Sequence, residues 1–142
     1  MRQLPLFRWL SGKQKTAKKR TPKRKRGDQA EQLALDYLLK NQLILLEKNF
    51  QITAGEVDLV MQDQADGSLV FVEVRYRKNA DFGGAAASVT PKKQQRIIKA
   101  ALAYQQKHAP QSSMRFDVVA IEGDNVIDNS NINWIKSAFD GF

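Results

Sequence analysis

Cysteine is absent from this chain of 142 residues, and histidine occurs once, at His108. Without thiols there is no disulfide, no thiolate zinc site and no cysteine nucleophile. A single imidazole excludes any site that needs two, and permits a Ser-His-Asp triad only if His108 serves. That residue stands just before Pro110 at an expected helix end, where partial positive charge is favoured, so it is assigned no catalytic role. Long apolar runs are also missing. Nothing approaches the roughly 20 residues of a membrane span. The opening MRQLPLFRWL is interrupted by Arg2, Pro5 and Arg8. Neither a signal peptide nor an integral membrane segment is expected, and the reducing cytoplasm is the expected compartment.

Acids are missing from the first 26 residues, which carry 11 of the 23 Lys and Arg. The rest therefore holds 12 bases against 15 acids, so the overall charge of +8 resides in a leader and the remainder is mildly acidic. We divide the chain into a basic disordered leader, 1–26, and one domain, 27–142. A domain of that length buries roughly two thirds of its unfolded surface and needs no covalent staple. The leader lacks apolar periodicity and repels itself. It fits a solvated tail, a phosphate-seeking arm with salt-dependent affinity, or an arm for an anionic membrane surface.

Order is expected from Gly27. Asp28 followed by Glu31 reads as a capping box, and Ala30, Leu33, Ala34, Tyr37 and Leu38 recur at helical spacing. The apolar runs LILLEKNF and GEVDLVMQD and the alternating SLVFVEVRYR read as three strands. On the last, Val70, Val72, Val74 and Tyr76 share one face, and Leu69, Phe71, Glu73 and Arg75 the other. Residues 79–89 read as a loop with Gly83-Gly84 free to take positive φ. Thr90-Pro91 opens a helix to about His108, and MRFDVVAIE is a fourth strand before a turn at 123–125 and a short apolar segment through Trp134. The order is α-β-β-β-α-β, an α/β sheet flanked by helices.

Two strands are interrupted by acids. Asp58 lies inside Val57-Asp58-Leu59-Val60, and Glu73 inside Val72-Glu73-Val74. Acids are depleted in strands, and burying one unpaired costs several kcal/mol. A shared cation would resolve the conflict. Hard oxygen ligands suit Mg²⁺ or Mn²⁺ rather than zinc, and such an ion polarises a phosphoryl oxygen and activates water for in-line attack. Arg75, on the Glu73 face, would stabilise developing charge, but a guanidinium does not give up its proton and is no general base. Plainer roles exist for each acid: Glu73 with Arg75 as an ion-pair ladder, Asp58 as a turn cap or the partner of a leader Lys, Glu56 as a rim residue, Glu31 as a cap, and Asp117 as a structural partner of Arg115. Lys92, Lys93 and Arg96, at the start of the second helix, add charge to a helix dipole that attracts phosphate.

The stretches GDQAEQLALDYL, GEVDLV, LVFVEVRYR, FGGAAASVT and RFDVVAI resemble the YraN family of uncharacterised bacterial proteins, within the PD-(D/E)XK nuclease superfamily. The resemblance spans about residues 27–140. It implies a restriction-endonuclease-like core with a mixed central sheet, akin to that of junction-resolving enzymes. By this similarity Asp58 is the motif aspartate and Glu73 the acid of the E-x-K tripeptide. The Val74 carbonyl and the helix-borne Glu31 would join them at the metal, and Arg75 would fill the lysine position. The superfamily pattern has Lys there. It also implies a metal-dependent endonuclease acting on DNA, branched or junction DNA included, or a nucleic-acid-binding module that keeps the fold without hydrolysis. A homodimer is the matching expectation for a two-fold symmetric substrate. The RecB-like branch matches less well, since Gln94 is followed by Ile98 where that branch has Tyr.

Overall fold

A computed structural model describes residues 21–78, 84–123 and 131–141. Most of the expected leader, Gly83 and the turn beyond Gly123 lie outside the described residues. The first helix, α1, spans Pro22–Leu39. It starts five residues before the expected Gly27 and takes in Lys23, Arg24, Lys25 and Arg26. The cap is Thr21, whose hydroxyl accepts the Arg24 N–H at 3.2 Å, with Pro22 in the first turn. This overturns the Asp28–Glu31 capping box, because Asp28 sits inside the helix. Thr-Pro supplies both an N-cap oxygen and a pre-set φ, which outweighs like-charge repulsion along Lys23–Arg26.

Three strands follow: β1 at Leu43–Ile52, β2 at Gly55–Asp63 and β3 at Leu69–Arg77. A single turn of helix, α2 at Gly84–Ala87, replaces part of the expected loop. Gly84 takes φ +77°, and a Cβ there would meet the Glu122 carboxylate at 2.4 Å, so this turn is closed to other residues. The second long helix, α3, runs Pro91–His108 as the Thr90-Pro91 signal predicts, with the Thr90 hydroxyl accepting from the Lys93 N–H at 3.2 Å. Strand β4 covers Met114–Glu122, and the C-terminal apolar segment forms a fifth strand, β5, at Ile132–Ile135.

The sheet order is β1-β2-β3-β4-β5. All neighbours are antiparallel except β3 and β4, which are parallel and joined through α3. A mixed sheet with α1 on one face and α3 on the other is the expected restriction-endonuclease-like arrangement. The period-2 pattern of β3 divides the core. Val70, Val72 and Val74 pack with Ala30, Ala34, Leu35 and Leu38 of α1. Leu69 and Phe71 pack with Ile97, Ile98, Ala101 and Tyr104 of α3. Burying such side chains stabilises by roughly 1.5–3 kcal/mol each. Among the described residues no helix is long and apolar enough to cross a membrane.

Asp117 of β4 is fully buried. It accepts from Arg115 Nε and Nη2 at 3.0 and 3.1 Å, from Trp134 Nε1 at 2.9 Å and from the Ser137 N–H at 3.0 Å. Arg115 also reaches Asp63 at 3.0 Å. The network ties β5 to β4 and matches the structural role expected of Asp117.

Candidate functional site

The ladder between β2 and β3 runs from Gln62↔Leu69 to Leu59↔Val72 and stops there. Continued by one pair, the register would set Asp58 against Glu73. Instead the Asp58 carboxylate enters the gap, and its Oδ2 accepts the Val74 N–H at 2.8 Å. Gly55, at the start of β2, lies hard against α3: a Cβ there would stand 1.8 Å from the Arg96 carbonyl oxygen. The first residues of β2 thus lean on the helix while β3 continues alongside β4, and the acids occupy the fork. On the β1 side, Asn49 takes φ +52° where the chain passes Asp58 between the Lys48↔Leu59 and Phe50↔Val57 pairs.

Glu73 is buried, with its side chain 3% exposed. Lys93 Nζ stands 3.2 Å from its Oε1 and Arg75 Nη1 3.6 Å. Despite both cations, burial and the charge of Asp58 push its pKa up to about 8. The Asp58 pKa is raised too, by burial, against the opposing pull of the Val74 N–H, Lys93, a hydrogen bond with Glu73 and Arg75. Both acids are thus pushed toward the protonated form, chiefly by burial. Glu31 belongs to the same electrostatic group. Burial first, then the charges of Asp58 and Asp28, raise it to about 7, with Lys48 pulling the other way.

The predicted residues therefore separate. Asp58, Glu73, Arg75 and the Val74 amide meet at the fork, with Glu31 close enough to feel Asp58. Lys93 leaves the expected phosphate row and ion-pairs with Glu73, while Lys92 and Arg96 stay exposed. Arg75 is held on its other side by Ser88, whose hydroxyl accepts from Nε at 2.8 Å and donates to the Ala85 carbonyl. No motif pointed to Ser88; its position depends on the turn at Gly84. Glu56 accepts from Gln51 Nε2 at 3.3 Å on the rim of a cavity that Asp58 also lines. His108 packs on Tyr104 at the end of α3, their rings 4.4 Å apart.

Among the described residues no three acids or histidines are grouped closely enough to hold a metal together. The donor chemistry at the fork still fits a hard cation. Mg²⁺ commonly takes one or two carboxylates and fills the rest of its shell with water and substrate phosphate, and Asp58 and Glu73 are two buried carboxyls that meet at one point.

Residues 30–121 match the model of the uncharacterised protein family UPF0102. The chain belongs to this family. It is 47% identical over 121 residues to a UPF0102 protein of Herminiimonas arsenicoxydans, covering 85% of this chain and 91% of that one. A UPF0102 protein of Coxiella burnetii is 48% identical over 116 residues, covering 80% and 91%. One from Legionella pneumophila is 48% identical over 118 residues, covering 81% and 94%. The motifs that resemble the YraN family are thus those of UPF0102. In this UPF0102 chain all the acids of the fork, Glu31, Asp58 and Glu73, lie within the matched region.

Proposed function

We propose that this UPF0102 protein is a divalent-metal-dependent, endonuclease-like hydrolase of DNA phosphodiester bonds. The observation that carries the reading is the meeting of Asp58 and Glu73 where β2 and β3 part, both acids with raised pKa values. Asp58 and Glu73 would hold Mg²⁺ or Mn²⁺, with Val74 and Glu31 as the further positions. When bound, such an ion supplies charge stabilisation at the phosphoryl group and a more acidic water.

The cations divide the remaining work. Arg75, anchored by Ser88, would stabilise negative charge and cannot exchange a proton. Lys93 is a different kind of cation, since an ammonium can release a proton as well as pair with an anion. Standing 3.2 Å from Glu73, it offers the fork the lysine that position 75 lacks. In the proposed reaction Lys93 orients the attacking water and Arg75 stabilises the equatorial oxygens.

The test is a nuclease assay with Mn²⁺ on branched, duplex and single-stranded DNA, with D58A and E73A beside the wild type. Loss of cleavage in both variants supports the reading; equal cleavage by all three proteins identifies a contaminant. A second reading, binding without hydrolysis, is favoured by the pairing of Glu73 with two cations. It predicts DNA retention with no cleavage under any of these conditions.

A further inference from the structure

Beside the acids lies a groove of about 640 Å³ between the N-terminal half of α1 and the end of β3. Five side chains that line it are cationic, Lys23, Arg26, Arg75, Arg77 and Lys78, and none is acidic. Arg75 is committed to Glu73 and Ser88. The other four are exposed, and among the described residues none of them forms an ion pair. Four cations converging from two elements, without an acid partner among the described residues, attract a polyanion.

Gly27 says where that polyanion would go. It sits inside α1, where glycine costs about 1 kcal/mol relative to alanine. Packing does not require it, since a Cβ there would meet nothing within 4 Å. Gly27 lines both the basic groove and the adjoining cavity, which is walled by Arg24, Asp28, Glu31 and Asn49. It is a bare saddle on the helix between the cations and the acids. Val74, whose amide holds Asp58, lines the same groove. A glycine with space above it lets another backbone approach closely.

We propose that this groove is the track for a phosphodiester backbone, with Lys23, Arg26, Arg77 and Lys78 on the phosphates and the strand crossing α1 at Gly27. The track replaces the α3 row of Lys92, Lys93 and Arg96 as the main substrate contact, since Lys93 is engaged with Glu73. The inference rests on the hydrolytic reading only for what the strand is delivered to.

The experiment measures binding of labelled single-stranded and duplex DNA to the full chain without divalent cation, so that hydrolysis plays no part. Each phosphate contact contributes about −0.9 to the slope of log affinity against log salt on duplex, and about −0.7 on single strands. R77Q/K78Q is expected to flatten that slope by about 1.8 or about 1.4 respectively, and K23Q/R26Q by the same amount. K107Q, at the far end of α3, should leave it unchanged. G27L is expected to weaken binding about tenfold while raising the urea midpoint, a pair of effects that a purely structural glycine would not give. Unchanged slopes in both double variants overturn the track. So does loss of binding in a K18Q/K19Q/R20Q leader variant when the groove variants bind as wild type. Flattened slopes without cleavage by the wild type would keep the track and remove the hydrolytic reading. Wild-type cleavage with unaltered KM in the groove variants would do the reverse.

Discussion

Glu73 draws one cation from its own strand and a closer one from a helix far along the chain. The tripeptide Glu73-Val74-Arg75 puts the arginine two residues along the Glu73 face, and there it is, 3.6 Å away. Lys93 lies 20 positions after Glu73 in a row of cations that looks like phosphate-binding charge, yet its ammonium is the closer partner at 3.2 Å. No periodicity within one element reports a contact made between two. The division of labour gives a prediction at this scale. If Lys93 orients the nucleophile, K93A should lower kcat on cleavable DNA by about 10²–10⁴-fold, the range of a positioned proton-handling group. R75K should keep more activity, because a cation remains beside Glu73. Single-turnover kinetics at saturating enzyme would separate these losses from weakened binding. Wild-type kcat in K93R would mean that position 93 supplies charge alone.

At the scale of elements, the fork depends on how β2 is held at each end. Its second half is in the ladder with β3, while Gly55 is pressed against the Arg96 carbonyl. G55A would drive a methyl group into backbone that cannot rotate away, so it is expected to destabilise by about 3 kcal/mol, the upper range for overpacking, and to lower activity with it. Urea unfolding checks the first effect. Asp117 offers the contrasting case. D117A leaves Arg115 without its buried partner and frees Trp134 and Ser137, which should cost about 3–5 kcal/mol. Yet the network joins β4 to β5, away from the fork, so Mn²⁺ titration of the still-folded fraction should match wild type. Local cues read these elements unevenly. Thr90-Pro91 announced α3, and Thr21-Pro22 carried the same signal for α1. There the surrounding lysines and arginines suggested a disordered leader, although a capped helix with Ala30, Ala34, Leu35 and Leu38 packed on the sheet outweighs exposed like charges.

For the whole molecule, the acids set the pH dependence of folding. Glu73 and Glu31 have folded pKa values of about 8 and about 7 against ordinary values of 4.5. Between those limits the folded chain binds protons that the unfolded chain has lost, so stability falls as pH rises through this window and is recovered on acidification toward pH 5. The slope is at most about 1.4 kcal/mol per pH unit for each proton. E73Q should flatten the curve and stabilise the protein at pH 8, measured as urea midpoints from pH 5 to 8.5. A rising wild-type curve would contradict the burial of these carboxyls. Local pattern was enough to read the four long strands and the two long helices, the two-faced alternation of β3 and the acids that break the strands. These follow from periodicity and from the cost of placing charge among valines, both local properties. Packing between distant elements set the end of the ladder at Leu59, brought Lys93 closer than Arg75 to Glu73, and put Gly27 where a basic groove adjoins the cavity of Asp28 and Glu31. Each of these depends on the distance between elements far apart in the chain, which is set by how α1 and α3 pack on opposite faces of the sheet.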